Sequence, residues 1–190
     1  DKEHATLRVA PNSTYKIYDA LFGLEEGVIT PENSFIAWNG ESYPFEAWNA
    51  DQTLQSAMNS SVNWYFQTLD EQLGASDVYS YIQEIGYGNE NMRGDFSTYW
   101  MESSLRISPI EQVELLTRLQ NNSFGFALEN INAVKDAIRL SSSDAGTFYG
   151  KTGTGRVDGK DVNGWFIGYI ETVDNTYFFA TNIGADSDAT

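Results

Sequence analysis

Hydrophobic positions recur with helical spacing through most of this chain and with strand spacing only near its end. After Pro11-Asn12, the residues Ile17, Ala20, Leu21 and Leu24 share one helical face. Gly27 and Pro31 punctuate the end of that helix. Residues 33–52 lose the rhythm: Phe35, Trp38, Tyr43, Phe45 and Trp48 are scattered among polar residues, with a turn at Asn39-Gly40. The pattern then predicts helices from Thr53 to Asn59 and from about Val62 to Leu73, the second closed by Gly74. Asp77 is placed to cap a short helix reaching Ile85, and Gly86-Tyr87-Gly88-Asn89 breaks the chain. Ser108-Pro109-Ile110-Glu111 has the composition of a helix start. The serine caps, the proline suits the first helical position, and the glutamate completes a capping box. That helix runs to about Leu119, and another is carried by Leu128, Ile131, Val134 and Ile138.

The period changes after Ser141-Ser142-Ser143-Asp144. Residues 147–152, 164–172 and 176–182 are rich in aromatic and branched side chains and read as strands. Val173-Asp174-Asn175 joins the last two as a hairpin. A helical body followed by an antiparallel sheet is expected: an α/β (α+β) fold in one domain over residues 1–190. Three strands make a thin sheet. The chain also ends on a polar stretch, Gly184-Ala185-Asp186-Ser187-Asp188. The sequence therefore reads as trimmed at both ends.

Composition narrows the function. The 41% hydrophobic content can fill a core. Eleven basic against 27 acidic residues give a net charge of −16, which argues against nucleic acid and against an anionic membrane surface as partners. Cysteine is absent, so disulfides, thiolate catalysis and cysteine-bound zinc are excluded. The one histidine, His4, lies near the start, so a serine–histidine triad or a histidine metal site has little to draw on. No metal is expected in this chain. No apolar run is long enough to span a bilayer, and no signal peptide opens the sequence.

With no usable histidine, the candidate base is a lysine. Ser13 and Lys16 stand at i and i+3, so a helical start puts both side chains on one side. A serine hydroxyl is a poor nucleophile until a base takes its proton, and a neutral or modified lysine can do so. Lys151-Thr152-Gly153-Thr154 falls on a predicted strand. Lys151 supplies positive potential, Gly153 allows close approach to the backbone, and the hydroxyls of Thr152 and Thr154 suit a carboxylate. An edge strand of this sequence can pair with an amide-like ligand. Ser61 begins a helix, where it is either a cap or a proton relay to a leaving nitrogen.

Ser13-x-x-Lys16, Ser61-x-Asn63, Tyr87-Gly88-Asn89 and Lys151-Thr152-Gly153, in this order, resemble the serine penicillin-recognising superfamily. Tyr-Gly-Asn, Tyr99-Trp100-Met101-Glu102, Leu105-Arg106-Ile107-Ser108 and Gly164-Trp165-Phe166-Ile167-Gly168 are similar to its class D (OXA-type) β-lactamases. Class D enzymes generally carry valine where this chain has Asn63. Ser-Val-Asn-Trp-Tyr-Phe, with Tyr43-Pro44-Phe45-Glu46-Ala47-Trp48-Asn49 upstream, resembles the sensor domain of BlaR/MecR-type penicillin receptors.

That resemblance implies a central antiparallel sheet flanked by helices. It also implies covalent acylation of Ser13 by β-lactam antibiotics, very slow deacylation, and a signal that induces resistance genes. Lys16 is then the base, Ser61 the relay and Lys151 the electrostatic partner. Backbone N–H groups of Ser13 and Thr154 form the oxyanion hole. Asn63, Thr152, Gly153 and Thr154 are the substrate-binding candidates. Carbon dioxide is the implied cofactor, as a carbamate on Lys16 stabilised by Trp100, with Asn63 favouring the free amine after acylation. A membrane-embedded zinc-protease portion of the same polypeptide is expected upstream and absent here. The site then faces the outside of a Gram-positive cell; a secreted protein is the alternative. Two other readings stay open: a class D β-lactamase, and a transpeptidase, which Ser-x-Asn also fits. No basic residue follows Lys160 to hold a drug carboxylate, as an arginine often does in class D enzymes.

Overall fold

Helix α2 (Lys16–Glu25) is the axis around which the other helices assemble. The expected apolar face of Ile17, Ala20, Leu21 and Leu24 is buried, and so is every other residue from Lys16 to Leu24. Helices α4 (Asn63–Leu73), α5 (Ala75–Ile85) and α7 (Leu128–Ala137) all pack on it, which leaves no side for solvent. Two polar side chains, Lys16 and Asp19, are thereby drawn into the core at 0% exposure. The computed structural model describes residues 2–184.

Local signals set most helix ends. Thr53 caps α3 (Leu54–Asn59) in a reciprocal box with Ser56. Ser108 and Glu111 form the expected box at the start of α6 (Pro109–Gln120), with Pro109 in the first turn. Gly74 closes α4 at φ 83° and Gly86 closes α5 at φ 67°, both in the left-handed region that glycine tolerates. Asp77 is not the cap expected of it. α5 starts directly from Gly74, so Asp77 falls in its first turn, where a carboxylate still suits the helix dipole. A short helix α1 (Lys2–Thr6) precedes these and packs on α6.

The sheet has four strands rather than three. Strands β1 (Arg139–Ser143), β2 (Gly146–Val157), β3 (Lys160–Glu171) and β4 (Thr176–Gly184) lie in sequential order, all antiparallel. β1 is the serine-rich stretch expected to be a connection, and all five of its residues are exposed. β2 and β3 run further than expected and meet at a two-residue turn, Asp158-Gly159, with φ 51° and 79°. Positive φ at both turn positions is the geometry whose twist matches a hairpin. β1 pairs with β2 only as far as Tyr149, so from Lys151 onward β2 is hydrogen-bonded to β3 alone. That open edge lies against the turn holding Ser13. The polar residues from Ala185 onward lie outside the described residues.

Candidate active site

Ser13 stands in a 3-10 turn, Asn12–Thr14, and α2 begins only at Lys16. This corrects the expectation of a serine on the first α-helical turn. Asn12 takes φ 50°, and the Thr14 amide and hydroxyl both return to the Pro11 carbonyl, so the chain is wound more tightly here. The turn is tied down from outside. The Asn12 amide donates to Trp100 O at 2.9 Å, and Gln112 Nε2 donates to Thr14 Oγ1 at 2.8 Å. A Cβ on Gly153 would come within 3.0 Å of Pro11 O and 3.2 Å of the Thr14 nitrogen. Gly153 thus lets the strand close onto the serine's turn.

The i, i+3 spacing does bring the two side chains together: Lys16 Nζ lies 2.8 Å from Ser13 Oγ. It also donates to the Ser61 carbonyl at 3.0 Å and to Asn63 Oδ1 at 2.5 Å. Three acceptors match the three donors of an ammonium group. The surroundings oppose that charge. Burial pushes the amine well below the ordinary lysine range and the positive charge of Lys151 pushes it further, while Asp19 acts the other way. The ring centroids of Trp100 and Phe66 are 4.9 and 5.5 Å from Nζ. The Trp100 indole N–H is buried with Asp70 towards it, yet no acceptor stands in hydrogen-bonding geometry.

Ser61 is not the N-cap of α4; that position belongs to Val62. Ser61 adopts φ 50°, a strained region for a residue with a Cβ. This conformation sends its carbonyl to Lys16 and its hydroxyl to Lys151, whose Nζ donates to Ser61 Oγ at 2.5 Å. Trp48 Nε1 fixes the preceding carbonyl, Ser60 O, at 2.9 Å. Lys151 reaches in from β2 and is 5% exposed, and burial lowers its pKa to about 8. Ser13 Oγ, Lys16 Nζ, the Ser61 carbonyl and hydroxyl, and Lys151 Nζ therefore form one connected path.

The path opens into a cleft of about 610 Å³ lined by Ser13, Ser61, Asn63, Thr152, Gly153 and Thr154, with Phe45 and Trp48 on one wall. All the site residues expected from the motifs are brought together here. Others were not expected. Met101 Sδ accepts from Asn63 Nδ2 at 3.1 Å and so holds the other end of that amide. Arg156 pairs with Asp161 at the rim. Glu102, noted only as part of a motif, joins Asn12 and Asn163. Asp19 and Asp70 form a buried carboxyl pair beneath Lys16. Burial, and for Asp19 also the neighbouring Asp70, raises both above the ordinary carboxylate range. Neither aspartate belongs to a sequence motif; only their helical positions on α2 and α4 bring them together. Among the described residues no group of three or more histidine, aspartate or glutamate side chains is placed to hold a metal, and no helix is long and apolar enough to cross a membrane.

Residues 2–189 match the sequence family described as the penicillin binding protein transpeptidase domain. The chain belongs to this family. Within it, the chain is 48% identical to Regulatory protein BlaR1 of Bacillus licheniformis, over 100% of this chain and 31% of that protein. The solved C-terminal domain of the Bacillus licheniformis BlaR penicillin-receptor superposes with a TM-score of 0.92 at 48% identity, covering 96% of this chain and 74% of that one. A class D β-lactamase from Bacillus subtilis also gives 0.92, at 36% identity, covering 97% and 77%. The helices and four-stranded antiparallel sheet are thus the transpeptidase/β-lactamase fold that the motifs imply. The expected resemblance to penicillin-receptor domains, with class D enzymes as relatives, holds across the chain. The chain spans under a third of the length of the curated BlaR1 protein it matches.

Proposed function

We propose that residues 1–190 form one β-lactam-sensing domain, acylated at Ser13 by β-lactam antibiotics and slow to release the acyl group. Lys16, as the free amine, takes the Ser13 proton. Ser13 Oγ bonds to the lactam carbonyl carbon, and the oxyanion is received by the backbone N–H groups of Ser13 and Thr154. The ring C–N bond then breaks, and its nitrogen takes a proton handed on through Ser61, with the Lys151 ammonium behind it. Thr152, Gly153 and Thr154 bind the substrate along the open edge of β2, and the two threonine hydroxyls hold its carboxylate.

The observation that carries the sensor reading is the 2.5 Å contact between Asn63 Oδ1 and Lys16 Nζ. Hydrolysis of the ester needs a base to activate water. Asn63, by holding the Lys16 amine, favours the free lysine over its carbamate once Ser13 is acylated, and so removes the base that water needs. The likeness to BlaR1 and to the BlaR receptor domain supports the same conclusion. On this reading the domain faces the outside of the cell, as part of a receptor whose membrane-embedded zinc-protease portion precedes it, and acylation signals induction of resistance genes. The test is adduct mass followed for hours after one exposure to benzylpenicillin. A single adduct persisting over a bacterial generation is expected. Many drug molecules hydrolysed per protein per minute would sink the sensor and leave a class D β-lactamase.

One feature favours chemistry shared with class D enzymes. A depressed amine set against the rings of Trp100 and Phe66 fits a carbamate on Lys16. Bound carbon dioxide would supply an anionic base there for acylation. Labelled bicarbonate should give a carbamate carbon resonance that is absent in Lys16→Ala. Full acylation speed in buffer free of carbon dioxide would show that the amine alone is the working base.

A further inference from the structure

One carboxylate oxygen joins the two halves of the proposed oxyanion hole. The first half is the turn of Ser13, immediately preceded by Asn12. The second is β2 at Thr154, immediately followed by Gly155. Glu102 Oε1 accepts from Asn12 Nδ2 at 2.8 Å and from Asn163 Nδ2 at 2.8 Å. Asn163 is the β3 residue paired with Gly155. The Glu102 backbone N–H also donates to Asn12 Oδ1 at 3.3 Å, so Asn12 is held at both ends of its amide. Both asparagines are buried, at 2% and 5% exposure, and the same two Nδ2 groups also donate to the Ala10 carbonyl, at 3.3 and 2.9 Å. Gly155 makes room for the arrangement: a Cβ there would lie 1.8 Å from Glu102 Oε1 and 2.7 Å from Asn12 Nδ2. Glu102 itself takes φ 40°, which is costly for a side chain of its kind.

We propose that Glu102 is a positioning residue that fixes the separation of the Ser13 and Thr154 backbone N–H groups. The inference rests on the acylation of Ser13 proposed above. An oxyanion hole works because its donors are already placed where charge develops, and a small widening forfeits most of that stabilisation. The two donors come from elements far apart in sequence. Among the described residues, no backbone hydrogen bond formed outside regular helices and strands joins the turn to the open edge of β2. Beside the contacts that Asn12, Asn163 and Trp165 make to Ala10 O, Glu102 adds the charged link between Asn12 and Asn163, and Gly155 is bare so that the link can sit against the strand.

Three variants test it: E102A, E102Q and G155A. E102Q keeps an oxygen that can accept both asparagine donors, so it should acylate within about threefold of the parent. E102A removes the acceptor, and G155A pushes the carboxylate out from the other side. Both should slow the covalent step, approaching the 10²–10³-fold loss that follows removal of one oxyanion donor. The pre-covalent dissociation constant of benzylpenicillin should stay within about threefold. The infrared stretch of the acyl-ester carbonyl on Ser13 reads the hole directly. Weaker hydrogen bonding should raise its frequency in E102A and G155A but not in E102Q. A merely structural brace would lower thermal stability without moving that band. If E102A does not fold, G155A decides by the same band. Parent-like rates with an unshifted carbonyl overturn the inference, as does an E102Q variant as impaired as E102A. Absence of any adduct in the unmodified protein overturns the acylation reading, and this inference with it.

Discussion

Ser13→Ala is expected to take up no penicillin at all. In the protein with its serine intact, peptide mapping should place the adduct on Ser13. An adduct of undiminished yield in the alanine variant would mean that another hydroxyl is the nucleophile. Lys16→Ala keeps the serine but loses the amine 2.8 Å away that is proposed to take its proton. General-base help is typically worth about 10²–10⁴-fold, and acylation should slow by that order. The pH profile separates the two lysines. On the proposed mechanism Lys16 acts with its proton gone, and its pKa lies well below the ordinary lysine range, so the acid limb of the acylation rate should fall below that range. Lys151 is proposed to act with its proton on, and burial lowers its pKa to about 8, so the rate should decline as pH rises past about 8. A rate still climbing two units higher would show that the Lys151 charge is not needed.

Asn63→Val is expected to shorten the life of the adduct. The substitution removes the acceptor 2.5 Å from Lys16 Nζ and leaves the two contacts to Ser13 and Ser61. Without that acceptor the free amine is no longer favoured over the carbamate after acylation, and an anionic base for water can persist on Lys16. Each 1.4 kcal/mol taken off the deacylation barrier is worth about tenfold, and losing the one hydrogen bond to Lys16 corresponds to roughly tenfold. Release of the acyl group, followed by mass over hours, should quicken by that order while acylation changes little. An adduct as long-lived in the variant as in the parent would move the cause of persistence away from Asn63.

The helical body and the motifs were legible because they depend on short-range chemistry. The Ser108–Glu111 box, the glycine stops and the i, i+3 pairing of Ser13 with Lys16 each involve residues within a turn of one another. What escaped depends on distant partners. β1 has no buried residue and a serine-rich sequence, and it is a strand only because β2 offers it an edge. Asp158-Gly159 carried a hairpin signal, but its flanks, Gly155-Arg156-Val157 and Lys160-Asp161-Val162, lack the alternation that would have drawn attention to it. Ser61 reads as a helix cap from its neighbours. It becomes a junction between two lysines only because β2 delivers Lys151 to it. Glu102 and Asn163 are 61 positions apart and share a hydrogen bond no local pattern predicts.

Asn12, Ser61 and Glu102 all have left-handed backbone without being glycine, and all three line the cleft. Such conformations each cost on the order of 1–3 kcal/mol. The penalty is concentrated where the chemistry is proposed to occur, so robustness and responsiveness pull against each other at these positions. Glycine at any of them would relax the chain and at the same time delete an amide, a hydroxyl or a carboxylate that the cleft uses. At Ser61, whose hydroxyl has the Lys151 ammonium as its one partner among the described residues, a laboratory selection for heat resistance alone should therefore favour glycine and return proteins that detect the antibiotic worse.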